Sequence, residues 1–428
     1  MAEPGRLINL EGPKLGHIPA FDGFRGLFVM QVLLYHALVS DFLKGSPIII
    51  DWFFVASGFL ITSLLLDEHR STGANDLRTF YQRRALRLFP AMYLMIAAFV
   101  VIMLLAVTFS QEAREALGPW WVEALAAGTY CYYIVAAFMP GELDGALGHT
   151  WSLTVEEQFY FLWPLFLTFT LRRRRRTSDR NLIIGAIAFI VLVMGMRVVL
   201  HDQVVVPVDS DLHEHMTYFD EVIDEDTPPD LLDDDRITGG STWQGVVYRI
   251  ASARPDMIVY GCLLAFVNKA IRRPLSEQFR KLIAVLGALG WVAYLLFIAL
   301  GERVPGFELF GGPVYQLSLL LLGPMILDLY LRQESAASRF FSHPLLRWFG
   351  VRSYGIYLWH IPVLLPFLPM INDSYGVKRL VAGLFAAGLG VVVGIASYRF
   401  IERPFLRLKD TRFQRPQDRA AAQGTPGS

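Results

Sequence analysis

The sequence of 428 residues is short of charge and of cysteine. Only 18% of its residues are charged, against about a quarter in a soluble domain, whereas 54% are hydrophobic. The 39 basic residues are balanced by 39 acidic residues, so the chain has no net positive field that would attract nucleic acid. Two cysteines, Cys131 and Cys262, cannot form a disulfide framework and show no metal-ligand spacing, so we expect neither a disulfide-rich domain nor a metal site.

The sequence also lacks the short motifs of common soluble enzymes. It has no phosphate-binding P-loop, no glycine fingerprint for dinucleotides, no His-Glu-x-x-His zinc motif and no Gly-x-Ser-x-Gly nucleophile elbow. A covalent serine mechanism therefore has no support in the sequence. What the chain has instead is a series of hydrophobic segments that recur from end to end with short connections.

These segments predict an all-α polytopic membrane protein. A helix needs about 20 apolar residues to cross the hydrocarbon core, and residues 88–109 form such a stretch without any charge. Further stretches bring the predicted number of transmembrane helices to about ten; they centre on residues 27–42, 52–66, 159–171, 182–200, 257–267, 282–300, 314–331, 354–370 and 380–397. Residues 120–139 form an additional apolar stretch that is long enough to cross.

Positive residues predict the orientation, because they collect on the cytoplasmic side of a membrane. The strongest markers are the arginines at 172–176 and the arginines at 83–87. Both fall on the same side only if residues 120–139 do not cross fully. We therefore interpret that stretch as a re-entrant or interfacial segment, and predict that both termini are cytoplasmic.

The chain divides into three parts on this interpretation. Residues 1–20 form a cytoplasmic N-terminal segment, residues 21–405 the transmembrane domain, and residues 406–428 a tail that we predict to be disordered. The largest outer loop, about residues 201–245, carries 13 Asp and Glu residues. A solvated acidic loop is one interpretation, and a site for a divalent cation or a partner is the other.

Ionisable residues inside predicted spans are candidates for function, since each is costly unless it is paired or faces a water-filled cavity. His36 lies deep in the first span, eleven residues after Arg25. On a helix this spacing puts both side chains on one face, roughly 16 Å apart along the axis. Arg25 is then expected at the cytoplasmic mouth and His36 near the middle of the bilayer. His360, in the ninth span, is a second intramembrane histidine.

Polar residues at the ends of the second and third spans are further candidates. Asp51 lies at the outer end of the second span, with Ser57 and Gly58 one to two turns inside. Small residues there let a neighbouring helix or a thin ligand approach closely. Arg84 and Arg87, at the entry of the third span, suit phosphates because guanidinium groups bind them in bidentate geometry, although topology anchors have the same pattern.

The fourth and sixth spans begin with charged residues. Glu156 and Glu157 enter the fourth span about 100° apart around the helix, so one can face a cavity while the other faces the interface. A carboxylate at the membrane boundary that caps the span is the alternative. Arg254 and Asp256, at the outer mouth of the sixth span, predict an ion pair.

Together these residues resemble the acyltransferase-3 family of integral membrane acyltransferases, whose members O-acylate envelope polysaccharides, lipids and macrolides. The resemblance covers about residues 20–405, and its specificity comes from the order and spacing of several motifs. The matching positions are Arg25 with His36, Arg84 with Arg87, and the segments 51–59, 151–160 and 353–360. The acidic outer loop is longer than the family pattern predicts.

The resemblance implies a multi-pass enzyme of the bacterial plasma (inner) membrane. It would move an acyl group, often acetyl, from cytoplasmic acyl-CoA to a hydroxyl of an envelope glycan or glycolipid, without a bound cofactor. On that pattern Arg25, Arg84, Arg87 and Ser57 would bind the donor, and His36 would be the general base. Asp51, Glu156 and Glu157 are alternatives for orienting the imidazole or the acceptor. Six further positions would have a substrate-binding or structural role on the same pattern: His149, Trp151, Arg254, Asp256, Tyr357 and His360.

A proton-coupled carrier or flippase of an envelope lipid or glycan is the second interpretation. His36, His360 and the carboxylates would then form a proton relay. Buried ionisable groups alone do not separate this class from the enzyme. The sequence also leaves open the acyl chain length, the acceptor and the oligomeric state.

Overall fold

The structure, a computed structural model, describes most of the chain. The described residues are 17–37, 46, 48–111, 119–139, 143, 145–172, 179–204, 243–270, 275–300, 303, 313–372 and 376–413. Most of the predicted N-terminal segment, the arginines at 173–176, most of the acidic loop and the end of the tail lie outside these residues. Within them the chain is helical and contains no strand.

The described helices run from one end of this part of the chain to the other. In chain order they are α1 (Pro19–Ala37), α2 (Ile48–Thr72), α3 (Leu77–Phe109), α4 (Trp120–Gly128), α5 (Tyr132–Phe138), α6 (Thr150–Arg172), α7 (Asp179–Val204), α8 (Trp243–Ser252), α9 (Pro255–Ala270), α10 (Glu277–Leu300), α11 (Pro313–Leu319), α12 (Leu322–Leu331), α13 (Ala336–Phe341), α14 (Pro344–Leu364), α15 (Leu368–Asn372), α16 (Val377–Ser397) and α17 (Arg403–Arg412). A π-helical turn, Tyr398–Glu402, joins α16 to α17. Residues 406–412, which the sequence predicted as part of a disordered tail, form the end of α17.

Six segments of the described chain are long and apolar enough to cross a membrane. They are α2, α3, α10, residues Asn181–Leu200 of α7, the segment Val314–Leu331, and the segment Val377–Arg412. The pair α8 and α9, bent by 41° at the break between them, is a seventh candidate if it counts as one span. These candidates coincide with seven of the stretches that the sequence predicted as spans.

The other three predicted spans correspond to α1, α6 and α14. These helices are present but are not among the apolar candidates. They are also the helices that contain Arg25 and His36, Glu156 and Glu157, and His360. Ionisable side chains lower the mean hydropathy of a helix, which explains why these three helices, which carry half of the predicted site residues, are less apolar than the other spans.

The apolar stretch at residues 120–139 is broken into two helices. At 1.5 Å per residue the nine residues of α4 span about 14 Å, less than half of the hydrocarbon core. At the break Tyr130 adopts a left-handed conformation with φ 54°. Gln158 of α6 holds the break, since its amide nitrogen donates to the Tyr130 carbonyl (2.8 Å) and its amide oxygen accepts from Tyr133 (2.7 Å). The break is compatible with the predicted re-entrant or interfacial segment.

Glycines allow α2 and α9 to cross in backbone contact. A Cβ atom on Gly261 would lie 2.1 Å from the carbonyl oxygen of Val55, and one on Gly58 would lie 2.0 Å from that of Ile258. Small residues are the usual means of close helix approach in lipid, where apolar side chains gain nothing by leaving the solvent. The small residue predicted at Gly58 therefore serves helix packing.

The helices α1 and α14 cross in the same way. A Cβ on Gly26 would lie 1.9 Å from the carbonyl oxygen of Leu346, and one on Gly350 would lie 1.7 Å from that of Asp22. The first of these helices carries His36 and the second His360. The glycine crossing therefore fixes the relative position of two of the predicted site residues.

The crossing of α2 and α9 predicts a large effect of a single methyl group. Gly261→Ala should destabilise the protein by about 1–3 kcal/mol, because the new methyl overlaps the Val55 carbonyl oxygen. The measurement is the melting temperature of the purified protein in detergent. Gly388→Ala is the matched control, because nothing lies within 4 Å of its Cβ position, and it should leave stability unchanged or raise it by about 0.5–1 kcal/mol. Equal melting temperatures for the two variants would contradict the close crossing.

Candidate functional site

Three histidines from different parts of the chain meet inside the helix bundle. The ring centre of His360 lies 5.0 Å from that of His36 and 5.1 Å from that of His149. His149, in the turn before α6, and His360 are both buried, whereas His36, in the last turn of α1, is partly exposed. We call these three residues the histidine cluster. In the described part of the chain no group of three or more His, Cys, Asp or Glu residues could hold a metal ion.

Main-chain carbonyls orient two rings of the histidine cluster. Nδ1 of His36 donates to the Val32 carbonyl oxygen at 2.9 Å, and Nδ1 of His360 donates to that of Tyr357. In a neutral imidazole the nitrogen that does not donate carries the lone pair, so the basic nitrogen of both rings is Nε2. Nε2 of His360 is buried and has no hydrogen-bond partner among the described residues. We expected a carboxylate as a candidate to orient His36; the acceptor that the structure shows is its own helix.

Tyr357 ties the third histidine to α14. Its hydroxyl donates to the carbonyl oxygen of His149 at 2.8 Å and shares a hydrogen bond of 2.6 Å with Oγ of Ser152. Nε2 of His149 donates to the carbonyl oxygen of Leu358 at 3.1 Å. Main chain and ring of His149 are thus both held by α14, which sets the position of this ring relative to His360.

A line of polar side chains leads away from the histidine cluster along α6. Ser152, Glu156 and Tyr160 follow one another at intervals of four residues, so they share one side of the helix, and His149 lies three residues before Ser152 in the turn that precedes the helix. We call them the polar face of α6. The eleven residues between its ends correspond to about 16 Å along the axis, which is also the predicted separation of Arg25 and His36 on α1.

The far end of this polar face contacts α2 and α3. The Tyr160 hydroxyl donates to Oγ of Ser57, which in turn donates to Oε1 of Glu156, both at 2.7 Å. The Arg84 guanidinium lies 3.3 Å from the centre of the Tyr160 ring, and its Nε is 3.8 Å from Oε1 of Glu157. Ser57, Arg84 and both glutamates, which the sequence singled out separately, are thus brought together.

Arg25, Arg84 and Arg87 form a basic group at this end of the site. Arg25 and Arg87 interact electrostatically with Glu156 and with Glu402. Neither of the two arginines makes a hydrogen bond or an ion pair with another described residue. Glu402, in the π-helical turn after α16, is buried at 4% exposure. The three arginines predicted as the phosphate site therefore lie together, and two of them keep their donors available.

Asp51 belongs to a second polar group, which consists of buried ion pairs. Its carboxylate accepts hydrogen bonds from Arg254 and, at 2.6 Å, from the Tyr315 hydroxyl. Asp256 forms a bidentate pair with Arg197 of α7, with distances of 2.8 and 2.7 Å. All four charged side chains are fully buried. We expected Arg254 and Asp256 to pair with each other, whereas the structure gives each a partner on another helix.

Trp151 packs between the ion-pair network and the apolar core. Its side chain is 2% exposed and meets Phe54 edge to face at 6.0 Å, and the Arg254 guanidinium lies 5.8 Å from its ring. Arg254 itself has φ 56°, a left-handed conformation at the break between α8 and α9. The buried contacts of Trp151 and Arg254 fit the structural alternative that the sequence left open for them.

Some residues of the site were missed by the sequence reasoning. Ser152 and Tyr160 share one helix face with Glu156, and the spacing of three to four residues could have indicated both. Arg197 is a charge within the apolar stretch 182–200, which is itself the signal of an intramembrane function or ion pair. Glu402 has no such local signal, because its partners lie on α1 and α3.

Two cavities open beside the basic group, and Arg84 lines both of them. The larger has a volume of about 490 Å³ and lies between α3, the break at Tyr130 and α6, where Glu157 and Tyr160 contribute to its wall. The smaller has a volume of about 250 Å³ and lies at the start of α3, with Arg87 in its wall. Arg84 is therefore accessible to a ligand from two sides, and Arg87 from one.

Fold and site together define a helical, multi-pass membrane protein with a histidine cluster inside the bundle and a basic group at the other end of a polar helix face. Residues 18–399 match the acyltransferase domain family, and the chain belongs to this family. The membership confirms the resemblance found in the sequence and, with the apolar helices, places the chain among multi-pass proteins of the bacterial plasma membrane.

Two curated relatives are similar over most of the chain. O-acetyltransferase OatA of Staphylococcus aureus (strain NCTC 8325 / PS 47) is 28% identical over 412 residues, which cover 93% of this chain and 58% of the relative. Peptidoglycan O-acetyltransferase OatA of Listeria monocytogenes serovar 1/2a is 27% identical over 412 residues, which cover 91% and 56%. The chain thus spans a little more than half the length of these relatives. No solved structure matches it.

The ion-pair network predicts a large stability cost when one partner is removed. Arg254→Gln leaves Asp51 buried without its counter-ion, and we expect the free energy of unfolding to fall by about 3–5 kcal/mol. The additional change Asp51→Asn should restore part of this loss. Lys281→Gln is the control, because its ion pair with Glu277 is exposed and should contribute less than about 1 kcal/mol. The free energy of unfolding of the Arg254→Gln and Lys281→Gln variants is measured in detergent. Equal losses of this free energy in the two variants would contradict the network.

Proposed function

We propose that this protein is an O-acyltransferase that moves an acyl group from cytoplasmic acyl-CoA to a hydroxyl of a cell-envelope glycan. The observation that carries the proposal is the arrangement along α1, which has Arg25 in the basic group and His36 in the histidine cluster. Two relatives are named O-acetyltransferases and one of them is named for peptidoglycan. These names support the reaction class, acetyl as the acyl group and peptidoglycan as the acceptor.

His36 is the general base in this proposal. Its Nε2 takes the proton from the acceptor hydroxyl, and the hydroxyl oxygen attacks the carbonyl carbon of the thioester. The carbon–sulfur bond then breaks, and the departing thiolate receives the same proton from the imidazolium. The products are the O-acyl ester and free CoA. His360 lies against this ring and His149 lies against His360. Both offer further nitrogens to hold the acceptor.

The basic group is the donor site. Guanidinium groups bind phosphates in bidentate geometry, and Arg25 and Arg87 keep their donors available for such contacts. The polar face of α6 leads from this group to the histidine cluster over about 16 Å. A flexible pantetheine arm bound along this face, beside Ser57, would deliver the thioester to His36.

The proposal includes the membrane topology. Ten helices span the bilayer, residues 120–139 form a re-entrant or interfacial segment, and both termini are cytoplasmic. The broken helices α4 and α5 support the re-entrant segment. The polar helices α1, α6 and α14 count as spans because their ionisable residues face one another inside the bundle, and the acceptor reaches His36 from the outer side.

A substitution of the base should abolish transfer without unfolding the protein. His36→Ala is expected to lower kcat by at least about 100-fold, which is the lower end of what a general base contributes. The assay measures radiolabelled acyl groups transferred from acyl-CoA to peptidoglycan fragments. His17→Ala, at a histidine whose side chain is 65% exposed, should retain activity. Full activity in a correctly inserted His36→Ala protein would rule out this role.

The donor proposal is tested by ligand stabilisation. Acyl-CoA should raise the melting temperature of the protein in detergent, since a ligand that binds only the folded state must do so. Arg84→Ala combined with Arg87→Ala should abolish most of this rise, whereas Arg339→Ala, at an exposed arginine of α13, should not. A carrier or flippase that does not use acyl-CoA should show no rise. Unchanged acyl-CoA affinity in the double variant would make the two arginines topology anchors only.

A further inference from the structure

We propose that the C-terminal helix α17 completes the phosphate-binding cavity of the donor site, and that Lys409 binds a phosphate group there. The inference rests on the proposed function for the nature of the donor. The match to the acyltransferase domain family ends at residue 399, and α17 begins at Arg403. The family comparison therefore assigns no role to this helix.

The cavity of about 250 Å³ at the start of α3 lies between α2, α3 and α17. Its lining residues are Ile61, Leu64, Leu65, Glu68, Asp76, Thr79, Phe80, Arg83, Arg84, Arg87 and Lys409. Four of these side chains are cationic and two are anionic, so the cavity carries a net positive charge. Three of the cations, Arg83, Arg84 and Arg87, lie within five consecutive residues of α3, and the fourth comes from α17.

Both acidic residues of the cavity are engaged by the main chain. Oε1 of Glu68 accepts from the backbone N–H of Asp76 at 3.3 Å, and Oδ1 of Asp76 caps α3 by accepting from the backbone N–H of Thr79 at 3.0 Å. Their carboxylates therefore close the turn between α2 and α3. Of the four cations, Arg87 alone makes no ion pair with another described residue, so it is the one most open to an anion from outside the protein.

Lys409 is directed into the protein, whereas most residues of its helix are exposed. Its side chain is 16% exposed, and its Nζ lies 3.5 Å from Oδ1 of Asp410, whose side chain is 64% exposed. Arg83 holds the end of α17 by donating to the Phe413 carbonyl oxygen and by lying 3.5 Å from the same Asp410 oxygen. Cations in one small cavity repel one another. A bound phosphate between Lys409 and Arg87 would remove this cost.

The π-helical turn before α17 positions both sides of the site. Single π turns within α-helices are rare and occur frequently at functional sites. Here the turn places the buried carboxylate of Glu402 within electrostatic range of Arg87 and Arg25, and it directs the next two turns of helix across the start of α3. One backbone irregularity thus positions an acid beside the basic group and brings Lys409 to the cavity.

The cavity fits part of a nucleotide rather than a whole one. Pockets that enclose drug-sized ligands usually measure about 300–1,000 Å³, and this cavity is smaller. A lysine binds phosphate as a point charge, whereas arginines bind it in a planar fork. The ligand that suits this combination is a nucleotide with several phosphates, such as CoA, whose adenosine would lie outside the cavity.

The test is a binding titration on the purified full-length protein in detergent. CoA and inorganic pyrophosphate are titrated by calorimetry into the wild type, Lys409→Gln, Lys409→Arg and Arg407→Gln. We expect Lys409→Gln to weaken CoA binding about tenfold, which corresponds to about 1.4 kcal/mol, and Lys409→Arg to restore it. Arg407 is exposed and lies about 200° around α17 from Lys409, so Arg407→Gln should bind as the wild type does.

The outcomes separate this inference from the proposed function. Wild-type affinity in Lys409→Gln, or equal weakening by Arg407→Gln, overturns the role of Lys409 even if the enzyme transfers acyl groups. If pyrophosphate binding depends on Lys409, the phosphate site is upheld. If the same protein transfers nothing from acyl-CoA, the proposed donor is contradicted. An unchanged melting temperature without ligand verifies that the Lys409→Gln protein is folded. Failure of Lys409→Arg to restore CoA binding also counts against the inference.

Discussion

The free-energy cost of a charge in hydrocarbon is the constraint on which this structure depends. Helices α3, α7 and α10 bury only 17–22% of their most apolar windows, so they form the outside of the bundle. The helices that carry ionisable residues direct those residues towards one another. The polar groups of α1, α6 and α14 consequently converge on one interior site, although each helix is too polar to pass as an apolar span by itself.

The same constraint separates two kinds of polar residue. In the pairs Asp51–Arg254 and Arg197–Asp256 each charge is neutralised by a fully buried partner, so these residues connect α2, α7 and α9. In the basic group, by contrast, Arg25 and Arg87 make no hydrogen bond or ion pair with another described residue, and in the histidine cluster Nε2 of His360 is buried without a hydrogen-bond partner among the described residues. Groups of the first kind stabilise the fold, and groups of the second kind are available to a ligand.

Sequence patterns predicted the helices and the helix faces, but not the partners across the bundle. The charge-free stretch at 88–109 and the spacing of Arg25 and His36 are local properties of one helix, so they are visible in the sequence. Asp51 and Arg254 are 203 residues apart, and no local period connects them. The proposed role of Lys409 depends in addition on a π-helical turn, whose register no hydrophobic pattern reveals.

The ion-pair network also bears on the choice between an enzyme and a carrier. Alternating access requires helices to move against one another, yet α2 and α9 cross in backbone contact at Gly58 and Gly261. Near the same crossing Asp51 of α2 pairs with Arg254, and breaking such a buried pair costs about 3–5 kcal/mol. The proposed acyl transfer needs no such movement, because in that proposal only the donor's arm enters the bundle while the acceptor stays on its own side. The rigid crossing therefore favours acyl transfer at a fixed site over transport of a whole lipid or glycan.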